Sequence, residues 1–347
     1  KMNILVDLIN TQGSFFGSGV YIRKVFKALL EYVESNNMSD VRFVCTYDSK
    51  KEILYPDFNV TRLCENPIIT VVDINTTSFS SICRTYNIDV VFLGFGQVLY
   101  DYDFTGVEAR IVCVLHDVFN LEYENTKLDK YVVLDSYRDP VRITIKKWLY
   151  DKLGLKYVEP KKNNNYDRMI RFLDENNKYT IITVSQFSYY SLLNQLPIPK
   201  NRIEVLWSPE KDMPVMMNIE NKRLKDVVDK GKRYFLVVSA DRKLKNADRA
   251  VEAFVRYRKN NSDAADLYML TVGCEEVKDD HHLAVPFLSD SDIEHAYRNC
   301  HALFYPSYFE GFGYPPLEAM KYGKPVLASN VCSMPEILED SAIWFSP

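Results

Sequence analysis

Two acidic residues flank a short glycine-containing stretch near the end of the sequence. Glu310 and Glu318 enclose Gly311 and Gly313, and a single tyrosine separates the second glycine from two consecutive prolines. Glycine lets the backbone N–H approach a ligand closely, and proline suits the first turn of a helix, whose N-terminus attracts anions. The stretch therefore predicts a phosphate site between two carboxylates that can accept hydrogen bonds from sugar hydroxyls. The alternative is an ordinary helix-capping loop with surface glutamates.

A second candidate site is a basic loop that follows the apolar run at residues 234–239. Arg242, Lys243 and Lys245 all lie in this loop, shortly before a predicted helix. Cations beside a helix N-terminus can stabilise the negative charge that develops on a diphosphate leaving group. The alternative interpretation is a solvated basic loop without a ligand.

The first half of the chain offers two further candidates. His116 and Asp117 follow the apolar run at residues 111–115, and open α/β sheets bind ligands at the carboxyl ends of their strands. A lone histidine at such a position is more often structural. Gly17 and Gly19 lie between a predicted strand and a predicted helix. Their spacing lacks the third glycine of the dinucleotide fingerprint and is only weak evidence for NAD binding. A plain turn and a phosphate-facing loop fit it about equally.

These candidates depend on a regular alternation of apolar runs and amphipathic helical stretches, which is typical of βαβ units in a parallel sheet. A chain of 347 residues is long for one hydrophobic core. We therefore expect two α/β domains, residues 1–208 and 209–347, with the polar stretch 209–232 as the linker. The predicted strands are residues 4–8, 41–46, 68–73, 90–93, 111–115, 181–184, 234–239, 267–272, 303–305 and 326–328.

Three helices are predicted from apolar spacing and capping residues. The first spans residues 20–34, with Val25, Leu29 and Val33 on its apolar face. The others span residues 246–258 and 289–298, and a Ser/Asp cluster that suits N-capping opens the last one.

One long segment, residues 138–178, has no place in a minimal βαβ unit. Basic residues dominate residues 141–162, and apolar residues recur there at helical spacing. The segment is interpreted either as an insertion helix packed on its own domain or as a basic amphipathic surface that touches anionic lipid at the membrane.

Composition excludes several classes of protein. The formal net charge of −4 gives no basic field for nucleic acid. Seven widely spaced cysteines without a CxxC pair argue against a disulfide framework or a zinc site, and the acidic and histidine-rich stretch 279–282 is interpreted as a solvated loop. No apolar stretch approaches the ~18 residues of a membrane span. We expect a cytoplasmic protein, with the inner face of the membrane as its possible peripheral location.

The glutamate-flanked stretch resembles the donor-binding signature of retaining GT-B glycosyltransferases, specifically glycosyltransferase family 4. The resemblance runs from Tyr305 to Met320 and continues through residues 323–330 to residues 334–336. It implies a GT-B fold, in which two Rossmann-like domains with parallel sheets face each other across a cleft. Residues 1–208 would form the acceptor domain and residues 209–347 the nucleotide-sugar donor domain. Relatives usually continue with further helices, so the donor domain is expected to lack its last ones.

The resemblance also implies roles for individual residues. Glu310 would contact the transferred sugar and Glu318 the ribose, while the backbone amides of Gly311, Phe312 and Gly313 hold sugar and diphosphate. The family pairs Lys with Asn where Lys245 stands, and it usually has Arg directly before that Lys. Leu244 occupies this position, so Arg242 is expected to take the role. Further residues with implied roles are His116 and Asp117 in catalysis, Gly17 and Gly19 in the loop over the donor phosphates, and Ser185–Ser188 lining the cleft.

The activity implied by this resemblance is transfer of a hexose from a nucleoside-diphosphate sugar to a hydroxyl of a glycan or lipid-linked glycan, with retention of configuration. Bacterial surface polysaccharide synthesis is the expected setting. No cofactor and no metal are expected beyond the donor, for example a UDP- or GDP-sugar. Two alternatives remain open: a nucleotide-sugar 2-epimerase of the same architecture, and a non-catalytic subunit that binds sugar nucleotides.

Overall fold

A computed structural model describes residues 1–13, 17–96, 102–118, 165–175, 178–211 and 217–347, together with Glu122 and Lys152. Residues 1–118 and 165–211 belong to one compact unit, and residues 217–347 belong to another. The expected domain boundary at residues 208/209 stays a prediction. Most of the expected insertion, and nearly all of the basic stretch 141–162, lie outside the described residues.

The first unit is built on a seven-stranded sheet in the order β3-β2-β1-β4-β5-β6-β7. Every neighbouring pair is parallel, and a sheet that grows in both directions from β1 is the Rossmann arrangement. The sequence missed β7, which has only three residues. The strands are β1 (Met2–Asp7), β2 (Val41–Tyr47), β3 (Ile69–Asp73), β4 (Val90–Leu93), β5 (Arg110–Val114), β6 (Tyr179–Thr183) and β7 (Ile203–Val205).

The described helices of this unit are α1 (Gly17–Ser35), α2 (Val60–Cys64), α3 (Phe79–Thr85), α4 (Asn165–Glu175) and α5 (Gln186–Gln195). The predicted apolar face of the first helix was wrong in two of its three positions. Ile22, Phe26 and Val33 are buried, whereas Val25 and Leu29 are only half-buried. The Phe26 ring meets the rings of Phe43 and Phe58 edge-on, and these aromatic contacts set the rotation of the helix on the sheet.

The second unit repeats the Rossmann arrangement in a six-stranded sheet, with the order β10-β9-β8-β11-β12-β13. All of its strand pairs are parallel. The short strand β10 was not predicted, whereas β13 lies within residues 342–347, which resemble the last strand region of the family's second domain. The strands are β8 (Arg233–Val237), β9 (Leu267–Val272), β10 (His282–Val285), β11 (Ala302–Tyr305), β12 (Val326–Ser329) and β13 (Ile343–Phe345).

The described helices of the second unit are α6 (Lys222–Asp229), α7 (Ala247–Asn260), α8 (Asp290–Asn299), α9 (Tyr314–Lys321) and α10 (Met334–Leu338). Ser289 caps α8 as predicted, because its hydroxyl accepts a hydrogen bond from the Asp292 N–H at 3.1 Å. The interpretation of residues 209–232 as linker was wrong for α6. That helix is capped by Asn221 and buries Leu224 and Val227 completely. Within the described ranges, no helix is long and apolar enough to cross a bilayer.

The expected solvated loop at residues 279–282 was wrong for His282. This residue begins β10 and is 2% exposed. Its Nε2 lies 2.9 Å from Thr271 Oγ1, and its Nδ1 accepts from the Lys278 N–H at 3.1 Å. Both ring nitrogens are therefore used inside the protein, which explains how a histidine can be buried in this core.

Candidate functional site

The two predicted ligand loops of the second unit are neighbours because they follow adjacent parallel strands. The basic loop follows β8 and the glycine-containing loop follows β11, and these strands pair directly. The Tyr308 N–H donates to the Leu244 carbonyl at 2.8 Å, and Asn246 Nδ2 donates to the Pro306 carbonyl at 3.1 Å. These two hydrogen bonds join the loops into one surface at the carboxyl edge of the sheet.

Lys245 and Glu310, which the sequence predicted separately, are in direct contact. Lys245 Nζ lies 2.5 Å from Glu310 Oε1, and the two side chains are only 10% and 9% exposed. The same ammonium donates to the Tyr305 hydroxyl at 2.9 Å. Burial of either charge alone would be costly, and the opposite charge together with the hydrogen bonds offsets that cost.

Two serines hold the glycine-containing loop. Ser333 Oγ donates to the Glu310 carbonyl at 2.9 Å and contacts the Phe312 carbonyl at 3.3 Å. Ser329 Oγ donates to the Ser307 carbonyl at 2.5 Å. Both serines are fully buried. Both serines lie inside the stretch that carries the resemblance, but the sequence analysis assigned them no role. A serine that supports a loop from the core has no distinctive spacing in the sequence.

The loop ends at Gly313, where α9 begins. Gly313 has φ +93°, a region that favours glycine. A Cβ at this position would lie 2.2 Å from Met334 Cε, so the end of the Met334 side chain would have to move to admit it. Phe312 is 8% exposed. The sequence analysis assigned Gly313 to close approach of a ligand. The structure adds a second reason for glycine, because Met334 packs against this position.

Glu318 lies on α9 and contacts the buried Tyr297. Burial raises the pKa of Tyr297 well above its usual value, and the charge and hydrogen bond of the Glu318 carboxylate raise it further. The Tyr297 hydroxyl therefore stays protonated. The sequence did not single out Tyr297.

Arg242 lies on the surface, whereas Leu244, which stands where relatives usually have Arg, is 3% exposed in the core. Burial raises the pKa of the Tyr305 hydroxyl well above its usual value and Glu310 adds to this, while the positive charge of Arg242 opposes it. Arg242 therefore acts electrostatically on the Tyr305 hydroxyl. Its expected role beside Lys245 stays a prediction.

In the first unit, His116 follows β5 at the carboxyl edge of the sheet. Its Nε2 lies 3.2 Å from the Gly94 carbonyl, and its ring packs edge-on against Tyr21 at 5.0 Å. A carbonyl only accepts, so Nε2 carries the proton. Burial lowers the pKa of His116 to about 4, and the ring is therefore neutral at pH 7. Asp117 beside it is half-buried.

The motif that begins at Ser185 lies against the same histidine. Ser185 caps α5 by accepting from the Ser188 N–H at 3.1 Å. The Ser188 hydroxyl donates to the His116 carbonyl at 3.0 Å. These contacts give the motif a structural function, and its expected place in a ligand cleft stays a prediction.

Gly17 and Gly19 stand in the first turn of α1, and Ser14–Phe16 before them lie outside the described residues. Gly17 is exposed, whereas Gly19 is buried. A Cβ on Gly19 would lie 2.6 Å from the Asn10 carbonyl oxygen. Close packing of α1 on the turn Ile9–Thr11 is thus a sufficient reason for this glycine, and phosphate contact stays a prediction for both.

Asp7 is a buried acid that sequence reasoning missed. It ends β1, is 1% exposed, and its Oδ1 accepts from Thr46 Oγ1 at 2.7 Å and from the Tyr102 hydroxyl at 3.1 Å. Burial raises the pKa of this carboxyl. An aspartate that closes an apolar strand was the available signal, since such a residue lies where α/β sheets place polar groups.

His116 gives the fold a testable pH dependence. Its pKa is 6.5 when unperturbed and about 4 in the folded protein, so the unfolded chain binds the proton more tightly. Stability is therefore complete above pH 6.5 and falls as the pH drops towards 4. Between pH 7 and pH 5 we expect a loss of at most about 2 kcal/mol from this group.

Urea unfolding at the two pH values measures this effect. In the variant His116→Gln the difference between pH 7 and pH 5 should shrink by that amount. The exposed His301 supplies the control, because His301→Gln should leave the difference unchanged. An equal response of both variants would contradict the burial of the His116 charge.

No candidate metal centre is found among the residues that the structure describes, since no three His, Cys, Asp or Glu side chains there are grouped closely enough to hold an ion. The stretch 279–282 was the sequence candidate for a metal site, but its side chains are bonded to different protein groups. Asp279 pairs with Arg258 at 2.7 Å, and His282 is hydrogen-bonded in the core.

The two sheets define the class of fold. The structure is similar to that of a sucrose-phosphate synthase from Thermosynechococcus elongatus, with a TM-score of 0.61 and 14% sequence identity over 100% of this chain and 86% of that chain. At this identity the similarity concerns the fold alone. It confirms the expected GT-B class of two Rossmann-like units.

Sequence comparison then gives a family match. Residues 218–347 match the family Glycosyl transferases group 1, which confirms the expected resemblance to glycosyltransferase family 4. The O-antigen chain mannosyltransferase B of Escherichia coli is 43% identical over 61 residues, which is 18% of this chain and 16% of that protein. The O-antigen chain mannosyltransferase RfbU of Salmonella typhimurium is 28% identical over 178 residues, 48% of this chain and 46% of that protein. The matches therefore span less than half of these relatives.

Proposed function

We propose that this chain is a retaining glycosyltransferase that moves a hexose from a nucleoside-diphosphate sugar to a hydroxyl of a glycan or lipid-linked glycan. The observation that carries the proposal is the buried Lys245–Glu310 pair, at 2.5 Å, inside a segment that matches Glycosyl transferases group 1. The names of two relatives support mannose as the hexose and a bacterial O-antigen-like polysaccharide as the product.

The donor would occupy the joined loops of the second unit. Glu310 would accept hydrogen bonds from the hexose hydroxyls, and Glu318 would accept them from the ribose. The amides of Gly311, Phe312 and Gly313 would hold the phosphates at the N-terminus of α9, where the helix dipole favours anions. The short bond between Lys245 and Glu310 supports this assignment, because the diphosphate and the sugar that they would bind are also adjacent in the donor.

Catalysis would depend on stabilising the departing diphosphate. As the bond between the anomeric carbon and the phosphate oxygen breaks, negative charge grows on that phosphate and positive charge grows on the sugar ring. Lys245 and Arg242 would stabilise the phosphate, and the Glu310 carboxylate would stabilise the ring. A buried site strengthens both interactions because the local dielectric constant is low.

The acceptor hydroxyl would attack the anomeric carbon from the face that the diphosphate leaves, which retains the configuration. Its proton would pass to the departing phosphate oxygen, so no separate base is needed and the charges balance. In the first unit, we propose His116 and Asp117 as residues for the sugar or acceptor. His116 would act as a neutral imidazole, as its burial indicates. Gly17 and Gly19 are proposed to line the donor phosphates.

A radiochemical assay with GDP-mannose, UDP-glucose and UDP-galactose, together with a mannoside carrying a hydrophobic aglycone, tests the proposal. We expect transfer from GDP-mannose and an α-linked product by NMR. Conversion of the donor to its 2-epimer without acceptor would favour an epimerase, and tight GDP binding without any turnover would favour a binding subunit.

We also expect that EDTA leaves the rate of transfer unchanged. Loss of activity that added Mg²⁺ restores would contradict metal independence.

We place the reaction in the cytoplasm, at the inner face of the membrane. The basic stretch 141–162 supports this because such a segment is attracted to anionic lipid. Sedimentation with vesicles of phosphatidylglycerol, compared with vesicles of phosphatidylcholine, measures the contact. Equal binding to both lipids would contradict it.

A further inference from the structure

Tyr305 lies beside the two charged groups of the candidate site. It is the last residue of β11 and is 1% exposed. Its hydroxyl accepts from Lys245 Nζ at 2.9 Å. Because Lys245 Nζ also lies 2.5 Å from Glu310 Oε1, the ammonium links the phenol to the carboxylate.

The hydroxyl restricts the direction of the Lys245 ammonium. That group has three N–H donors and can rotate about its last bond, and two acceptors, Glu310 and Tyr305, fix this rotation. The Tyr305 ring adds a favourable contact, since its centroid lies 5.1 Å from Nζ. The remaining N–H direction is thereby set and can serve a phosphate oxygen.

The hydroxyl restrains the Glu310 carboxylate indirectly. The ammonium that it orients donates to Glu310 Oε1 at 2.5 Å, and a charge-assisted hydrogen bond of this kind favours one orientation of the carboxylate. The Glu310 backbone is held independently by Ser333, whose Oγ lies 2.9 Å from the Glu310 carbonyl.

We propose that Tyr305 is a positioning residue, whose hydroxyl sets the orientation of Lys245 and Glu310 for a nucleoside-diphosphate donor. The inference rests on the proposed function, because it assumes that this pair receives the diphosphate and its sugar. Tyr305 acts through the other two side chains, since so deeply buried a residue does not itself reach the donor.

Tyr234 supplies a matched control from the same hydrophobic core. It is a fully buried tyrosine in the neighbouring strand β8 and packs in the same cluster as Tyr305. Its hydroxyl donates to the Ala296 carbonyl at 2.7 Å. Substitution by Phe therefore removes one buried hydroxyl and one hydrogen bond at each position, and only Tyr305 contacts the charged pair.

Calorimetric titration with GDP and UDP, which involves no sugar transfer, compares Tyr305→Phe with Tyr234→Phe. For the tighter-binding probe we expect the dissociation constant to rise roughly tenfold in Tyr305→Phe, the loss of one hydrogen bond to a charged group. Tyr234→Phe should stay within about twofold of the wild type. Melting temperatures of the two variants should fall by similar amounts, since each loses one buried hydroxyl.

A double-mutant cycle separates positioning from general packing. Lys245→Met removes the ammonium that Tyr305 orients, so Tyr305→Phe should then change the affinity by less than about twofold. If Tyr305→Phe acted only through a packing defect, it would lower the affinity by the same factor in the Lys245→Met background as in the wild type. Wild-type affinity in Tyr305→Phe, or full additivity with Lys245→Met, would overturn the inference.

Failure of the inference about Tyr305 is distinguishable from failure of the proposed function. If the wild-type chain binds GDP or UDP but transfers no sugar, the glycosyltransferase proposal fails while the binding cycle still decides the role of Tyr305. If the wild-type chain binds neither probe, the proposed function fails and the inference fails with it. If transfer is normal and Tyr305→Phe behaves like Tyr234→Phe, only the inference fails.

Discussion

Replacement of Glu310 by Gln is expected to lower kcat for sugar transfer by roughly 10²–10³-fold, the magnitude found when one preorganised electrostatic contact to a transition state is removed. Gln keeps the size of the side chain but loses the negative charge that would face the developing positive charge of the sugar ring. Lys245→Met should have a similar effect because the departing diphosphate loses its cation. Initial rates at saturating GDP-mannose measure both losses.

The same substitutions also affect folding, because the pair is buried. Each single variant leaves one charge unpaired, and breaking a buried ion pair in this way costs about 3–5 kcal/mol. The double variant Lys245→Met with Glu310→Leu removes both charges, so its urea midpoint should return close to that of the wild type. Its transfer activity should remain lost.

This combination separates chemistry from stability. If the single variants were inactive only because they unfold, the double variant would regain activity together with its fold, and that result would contradict the site assignment. The exposed pair of Lys243 and Asp248 in the same region, 2.9 Å apart with side chains 48% and 56% exposed, is the matched control. Lys243→Met should change stability by less than about 1 kcal/mol and leave transfer intact.

Strand positions were the most predictable part of the fold. The strands that were predicted and those that were missed show the reason. The predicted strand at residues 267–272 coincides with β9, because a buried strand of a parallel sheet is a continuous apolar run. β7 has three residues, too few to show any period. β10 begins at a histidine, whose burial depends on Thr271 and the Lys278 N–H. Partners from other elements cannot be read from the local sequence.

The candidate site was predictable residue by residue but not as an assembly. Glu310 and Lys245 were recognisable because glycines and a strand–loop–helix pattern surround them. Their direct contact depends on β8 and β11 being neighbours, which follows from the strand order and not from spacing along the chain. Tyr305 was hidden for the same reason: an aromatic residue at a strand end usually indicates packing, and only the three-dimensional arrangement brings its hydroxyl to the charged pair.

Gly313→Ala is the second substitution expected to have a large effect. The residue has φ +93°, and the new Cβ would lie 2.2 Å from Met334 Cε and 3.0 Å from Met334 Sδ. Backbone strain at such a position costs about 1–3 kcal/mol, and overpacking a buried side chain adds a similar amount. We expect a loss of about 2–6 kcal/mol in the free energy of unfolding, measured by urea denaturation.

Gly323→Ala isolates the two contributions. Gly323 has φ +64° and no atom within 4 Å of its would-be Cβ, so this variant should show the backbone strain alone and keep transfer activity. The difference between the two variants then measures the clash with Met334 together with the extra backbone strain at φ +93°. Equal stabilities would show that the clash is relieved without cost.

The clash at Gly313 should also weaken the donor site, because Met334 follows Ser333, whose hydroxyl holds the Glu310 and Phe312 carbonyls. A displaced Met334 would move this serine and with it the loop amides proposed to hold the diphosphate. The affinity for GDP should then fall at least about tenfold, as expected for the loss of one hydrogen bond to a charged phosphate. Met334→Leu removes the clashing Cε and costs less than about 1.5 kcal/mol by itself. Adding it to Gly313→Ala should recover part of both stability and GDP affinity. Recovery of stability without recovery of affinity would instead mean that Gly313 is needed for contact with the phosphates themselves, as its place before the N-terminus of α9 allows.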